Sequence, residues 1–269
     1  MKLLSKHKLA LILFFSVFLF YLIFSFQTEY LSSDDAYFHL RQIEHIVQSG
    51  RPLTLDPLSY GGRTILYPPL FHYFLAFFAL FLPLSLVVKV VPAILLGILA
   101  VLAYALAKEI THDTKASFFA ALVTGFIPLL VSETLNKVSV YALVLPLVFY
   151  MIYCFMKIKE NTTYVWKFVI LSFILPLVHP SAILLVLVLV FYILLVVSES
   201  FTLSILRREA LVFSALVLML LEFFFYKNAL LEQGLMLFQG GVPSLLLSSF
   251  FQNVNVFLIL YHLGILTLV

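Results

Sequence analysis

Leu31-Ser32-Ser33-Asp34-Asp35-Ala36-Tyr37-Phe38-His39-Leu40-Arg41-Gln42-Ile43-Glu44-His45 is the polar stretch around which the rest of the chain is read. It follows closely on the first long apolar run, Leu9 to Phe26, so two adjacent carboxylates, two imidazoles and a guanidinium gather where the chain leaves a membrane. Ser33 or Asp34 is placed to cap a helix. The apolar positions Ala36, Leu40, Ile43 and Val47 then recur at three- and four-residue steps, and Gly50 before Arg51-Pro52 ends the pattern. The stretch predicts an amphipathic helix lying along the membrane surface.

The surrounding composition sets the fold class. Of the 269 residues, 64% are hydrophobic and only 11% charged, with a mean hydropathy of +1.14, whereas soluble domains carry about 25% charged residues. The apolar runs are long, rich in Leu and Phe, and free of period-two alternation, which predicts helices and not the strands of a barrel. The expectation is an all-α integral membrane protein, one membrane domain over residues 1–269. The net charge of +3 is scattered through short connections, so a nucleic-acid partner is not expected. Cys154 is the only cysteine, which excludes an intrachain disulfide and a multi-cysteine metal site. No glycine-rich phosphate loop, His-Glu-x-x-His or Gly-x-Ser-x-Gly occurs, so nucleotide hydrolysis, zinc proteolysis and standard serine hydrolysis have no support.

The basic start, Met1 to Lys8, precedes an apolar run longer than a signal-peptide core and reads as an uncleaved anchor with its N-terminus in the cytoplasm. Residues 27–83 then form a first outer loop. Its part 66–83, which carries Tyr67-Pro68-Pro69 and His72, is read as membrane-embedded without crossing, because only then do Lys108 and Lys115 fall inside. The runs 86–107, 116–131, 140–156, 164–179, 181–197, 210–226 and 256–269 cross in alternation. Together with the anchor they give about eight spans, with Lys157, Lys159, Lys167, Arg207 and Arg208 on the cytoplasmic side. The sequon Asn161-Thr162-Thr163 falls inside too and is discounted. The chain stops at Val269 within an apolar run, so the expectation is either a short last helix or a truncated product, the second being preferred.

Asp34 and Asp35 stand at a helix N-terminus, where free amides and the dipole stabilise negative charge; simple capping is the plain alternative. Asp35 and His39, four residues apart, share a helix face and can hold a divalent cation or a substrate, or else form a solvated face. Arg41 can meet an anionic group or pair with Glu44. Arg51, Arg63, Lys89 and Lys137 are further cations for a lipid phosphate, whose charge must be neutralised as a bond to it breaks. His179-Pro180-Ser181 predicts a tight outer turn, Glu133, Asn136 and Lys137 lie in another outer loop, and Glu222 is an unexplained carboxylate inside an apolar run.

At Ser33-Asp34-Asp35-Ala36-Tyr37-Phe38-His39-Leu40-Arg41 the chain resembles the first outer loop of the oligosaccharyltransferase catalytic subunit, archaeal members above all. The likeness continues through Gly50-Arg51-Pro52-Leu53, Asp56-Pro57-Leu58-Ser59-Tyr60 and Tyr67-Pro68-Pro69-Leu70-Phe71-His72-Tyr73, and more weakly to about His179. The resemblance implies the GT-C helical bundle of membrane glycosyltransferases and a polyprenyl-phosphate-linked sugar donor. Asp35 would be catalytic and a ligand of Mg or Mn, with Asp34 assisting. His39, Arg41, Tyr67, His72 and His179 would bind substrate. Ser132 to Tyr141, where a second acidic motif belongs, holds Glu133 as its one carboxylate, and Trp166 is the single tryptophan. Asparagine glycosylation by this chain alone is therefore not expected. Adjacent acidic residues in the first outer loop also occur in metal-independent, protein mannosyltransferase-like and lipid-modifying relatives. A non-catalytic protein of the same fold, binding a lipid-linked glycan, membrane lipids or a partner subunit, is the alternative; a transporter is disfavoured by the lack of internal repeats.

Overall fold

A computed structural model of the chain describes residues 6–58, 62–65, 68–158, 160–198 and 205–233. Tyr67, the turn residues Tyr60 and Gly61, Lys2, Lys159 and the expected span 256–269 lie outside the described residues. Within them the regular secondary structure is helical except for one short ribbon. The helices are α1 (Lys6–Ser25), α2 (Asp34–Ser49), α3 (Leu70–Ala79), α4 (Leu84–Thr111), α5 (Thr114–Phe126), α6 (Pro128–Thr134), α7 (Tyr141–Lys157), α8 (Thr163–Val178), α9 (Ala182–Ser198) and α10 (Ile205–Gln233). Strands β1 (Leu55–Asp56) and β2 (Arg63–Thr64) pair antiparallel between α2 and α3.

This is an all-α membrane protein. His7–Ser25, Leu84–Thr111 and Ile205–Lys227 are long and apolar enough to cross a membrane, and the pair Thr114–Phe126 and Pro128–Thr134, bent by 42°, supplies a fourth crossing if it is one span. Helices α7, α8 and α9 are apolar but shorter, at 17, 16 and 17 residues. The ten residues of α3 rise about 15 Å, half of a hydrocarbon core of about 30 Å.

The expected run over 116–131 is interrupted by a break between α5 and α6. Pro128 occupies the first position of α6, where its missing N–H is harmless, and holds Ile127 extended with ψ at 127°. Helix α4 lies at the centre against α1, α5 and α7; α7 leads to α8, and α10 packs on both α8 and α9. Close approach requires small residues where α1 meets its neighbours. A Cβ on Gly97 would lie 2.8 Å from the Phe14 ring, and one on Gly125 would run into Val17. Large apolar side chains such as Phe15, Ile23, Phe191, Leu220 and Phe223 are exposed, as helices surrounded by lipid require.

Helix α2 starts and stops where the sequence predicts. Ser33 Oγ accepts from the Ala36 amide at 3.3 Å, and Gly50, at φ 71°, donates its amide to the Ile46 carbonyl. The buried face differs from the expected stripe: Ala36 and Ile43 are buried, but Ile46 and Gln42 join them and Val47 is exposed. Gln42 is tolerated inside because its amide group brackets Leu53, accepting from the Leu53 amide at 3.2 Å and donating to its carbonyl. That face packs on Phe71 and Leu75 of α3 and on Val87 and Val91 of α4, fixing α2 across one end of the bundle. At the other end Lys157 Nζ meets Glu109 at 2.7 Å, and Arg207 donates to the Met156 carbonyl, tying the end of α4 to α7 and α7 to α10.

Candidate functional site

A cavity of about 540 Å³ opens at the end of the bundle that α2 covers. Helix α2 contributes Asp34, Asp35, Phe38, His39 and Arg41; α3 contributes His72; the end of α6 brings Glu133 and the α6–α7 connection Lys137; and the α8–α9 turn brings His179. Residues that are more than a hundred positions apart in the chain thus share one concavity, the usual form of a ligand site.

The connection carrying Lys137 is held by Asn136. Its backbone is left-handed, at φ 52°, a conformation that asparagine tolerates better than most residues. Its amide group donates to Thr28 Oγ1 at 2.9 Å and to the Tyr30 carbonyl at 2.6 Å. The Ser32 amide and hydroxyl return bonds to the Asn136 and Leu135 carbonyls. The linker leaving α1 and the loop entering α7 are therefore clasped together just ahead of α2.

Two imidazoles form the inner wall. His39 Nδ1 and His72 Nε2 stand 2.8 Å apart, with their rings stacked at 30°. Phe71 sets its edge against His39. Only one proton lies between the two nitrogens, and the remaining atoms decide on which. His72 Nδ1 is buried with no hydrogen-bond partner. An orphaned N–H is rarer and costlier than an orphaned lone pair, so His72 carries its proton on Nε2 and donates it to His39. His39 then keeps its own proton on Nε2 as a donor for a ligand. Burial pushes His39 down to about 4, against the opposing pull of Asp35, and pushes His72 down to about 3, helped by His39. Both are neutral at pH 7, as this bond requires.

His179 follows α8 as its cap. Its Nδ1 accepts from the Ser181 amide at 3.0 Å, which places its proton on Nε2 as well, and burial lowers its affinity for a second one. Tyr141 packs against the ring. Pro180 and Ser181 form the tight turn that the sequence predicts.

Arg41 does not pair with Glu44. Its Nη2 lies 2.6 Å from Asp56 Oδ2, with Asp56 fully enclosed and the Arg41 side chain about one-third exposed, at 35%. The pair joins α2 to the ribbon, and Asp56 also accepts from the Leu58 amide. Arg41 still lines the cavity, but its charge is balanced. Lys137 reaches Glu133 only at 4.0 Å. The charges facing the space are thus Asp34, Asp35 and Glu133 against Lys137 and the Arg41–Asp56 pair. The mouth is acidic.

Asp35, expected as a metal ligand, has no companions of that kind: among the described residues no three His, Cys, Asp or Glu side chains form a group that could hold a metal ion. His39 Nδ1 and His72 Nε2 are engaged with each other. Lys89 does not reach this cavity; it is buried elsewhere and donates to the Thr28 carbonyl at 2.5 Å. Glu222, on α10, is buried with Oε1 lacking a partner and does not line the cavity.

A family model covers residues 7–269, nearly the whole chain. The chain belongs to DUF6541, a family of unknown function. None of the curated proteins matches it. In this member of DUF6541 the six described residues that the sequence singled out for the site, Asp34, Asp35, His39, Arg41, His72 and His179, all line the same space. Asp56 and Asn136 are the residues whose roles sequence reasoning missed. Asp56-Pro57 carries a turn signal, and that signal hid a buried carboxylate matched to Arg41.

Proposed function

We propose that this chain is a membrane glycosyltransferase of GT-C type, transferring a sugar from a polyprenyl-phosphate donor to an acceptor hydroxyl on the outer face of the membrane. The observation that carries the reading is the juxtaposition of Asp34, Asp35 and His39 with His72, Lys137 and His179 in one cavity at a single end of an apolar bundle. Lys108, Lys157 and Arg207 lie at the opposite end. The tendency of cations to collect in cytoplasmic connections supports reading the cavity as outside and the N-terminus as cytoplasmic, as part of this proposal. The eight-span GT-C arrangement belongs to the same proposal.

The chemistry requires a base, a donor to the leaving group and room for two substrates. Asp35 accepts the proton of the acceptor hydroxyl as its oxygen forms the new bond to the sugar anomeric carbon. The bond from that carbon to the phosphate oxygen breaks, and its electron pair leaves with the lipid phosphate. Lys137, the Nε2–H of His39 and the outer edge of Arg41 are the groups that meet the charge developing there. The proton on Asp35 then passes to the departing phosphate or to solvent. Asp34 assists by holding the acceptor. If a Mg or Mn ion takes part, Asp35 and Asp34 are the residues that would hold it, and it would supply positive charge against the leaving phosphate.

The test is sugar transfer by the full chain in lipid nanodiscs, supplied with polyprenyl-phosphate sugars and hydroxyl acceptors. Asp35→Asn should abolish transfer while leaving donor binding within about twofold. Unchanged transfer in folded Asp35→Ala protein would remove Asp35 from the mechanism. The absence of a second acidic pair in Ser132 to Tyr141 favours a second reading, a non-catalytic binder of lipid-linked glycan. Tight donor retention without sugar release, with or without Mg or Mn, selects it.

A further inference from the structure

The opposite side of α2 borders a second cavity, of about 250 Å³. With about 3.6 residues per turn, Tyr37, Leu40 and Glu44 fall on the face away from Asp34, Asp35 and His39. They line this space with Glu29 and Tyr30 of the α1–α2 linker and with Leu84, Val88 and Lys89 of α4. Here α1 ends and α4 begins, so the cavity sits at the boundary between the apolar bundle and its polar cover.

Its polar groups are divided by sign and by depth. Lys89 is only 7% exposed. One of its three N–H donors goes to the Thr28 carbonyl, its ammonium sits 5.3 Å from the centre of the Phe26 ring, and no carboxylate approaches it within ion-pair distance among the described residues. A buried ammonium without a counter-ion is costly, so an anionic group belongs beside it. Glu29 and Glu44 are exposed at the rim, with the rings of Tyr30 and Tyr37 beside them, surroundings that suit a cation. A free phosphate would meet two carboxylates. A simple amine would leave Lys89 uncompensated. A ligand carrying both charges satisfies both ends, and Leu31, Leu40, Leu84 and Val88 supply apolar wall for a hydrocarbon chain.

We infer that this second cavity binds the headgroup of a zwitterionic phospholipid bearing a primary amine, its phosphate on Lys89 and its ammonium on Glu29 and Glu44. A primary amine fits better than a quaternary one because carboxylates accept N–H bonds that a trimethylammonium cannot donate. The site is separate from the proposed transfer cavity, and its test requires no transferase activity.

The full chain, purified in detergent, is titrated with phosphatidylethanolamine, phosphatidylcholine and phosphatidylglycerol of identical short acyl chains, and with phosphoethanolamine alone. Thermal unfolding and native mass spectrometry report binding. Phosphatidylethanolamine should bind at least about tenfold more tightly than the other two lipids, and phosphoethanolamine alone should give no shift. Lys89→Met should remove the shift. The rim variant Glu29→Gln/Glu44→Gln, altered only at exposed positions and therefore expected to fold, should reduce phosphatidylethanolamine binding to the level of phosphatidylcholine. Phosphatidylglycerol binding as tightly as phosphatidylethanolamine, or an ethanolamine preference that survives in the rim variant, overturns the assignment. So does a shift from phosphoethanolamine equal to that from the lipid. If Lys89→Met fails to fold, the rim variant decides alone.

Discussion

His39 Nδ1 and His72 Nε2 lie 2.8 Å apart, and through that contact a residue of α3 sets which nitrogen of an α2 imidazole faces the cavity. Removing the partner should therefore alter His39 without touching it. In His72→Phe, nitrogen-15 shifts of His39 should change from a fixed Nε2–H tautomer to a mixture, and the protein should lose about 1–3 kcal/mol of stability. His72→Gln, whose amide can still donate, should recover part of both. An unchanged His39 tautomer in folded His72→Phe protein would contradict the proton assignment.

The Arg41–Asp56 contact across 2.6 Å encloses the carboxylate almost completely. Each single substitution, Arg41→Met or Asp56→Asn, leaves a charge poorly matched and should destabilise by up to about 3 kcal/mol, below the range for fully buried pairs because Arg41 is part-exposed. The double substitution should cost less than the two added together. A double-mutant cycle by chemical unfolding in mixed micelles measures the coupling.

Acid should weaken the fold through the same imidazoles. His39 and His72 bind protons less readily when folded, with values of about 4 and 3 against an ordinary 6.5, and His179 is lowered as well. Between 6.5 and those values the unfolded chain takes up more protons than the folded one. Stability is therefore complete above about pH 7 and falls as pH drops from 6.5 toward 4. Thermal unfolding across pH 4 to 8 tests this, and His39→Gln/His72→Gln should flatten the lower limb of the curve.

Asn136 supports the site by two routes, its left-handed backbone and its side-chain bonds to Thr28 and Tyr30. Asn136→Ala loses both and should cost about 2 kcal/mol, while Asn136→Gly restores the backbone preference and should recover roughly half. Protease sensitivity of the α6–α7 connection should rise in the same order, Gly below Ala.

Much of this architecture was legible in the sequence because its causes are local. Ser33 and Gly50 bound α2 by cap chemistry that needs no distant partner; the apolar runs predicted α7, α8 and α9 nearly to the residue and marked the positions of α1, α4 and α10, which extend further than expected. Lysine placement gave the expectation that the segment containing α3 does not cross; α3 itself is ten residues long. The bend at Pro128 was less visible, since proline within a membrane helix is common and its consequence depends on how the neighbouring helices pack.

The sequence by itself determined an apolar helical bundle and an acidic, histidine-bearing cover following the first helix, because hydrophobic periodicity and capping act over a few residues. Only the tertiary structure decided which polar groups meet. It brought His72 to His39, Asp56 to Arg41 and Asn136 to Thr28, pairs separated in the chain by 33, 15 and 108 positions. It also put the two cavities on opposite faces of α2. Hydrogen bonds and ion pairs are short-ranged and directional, so the choice among many polar partners is made by the packing of Ile43, Phe71, Leu75 and Val91 beneath them, which no local pattern encodes.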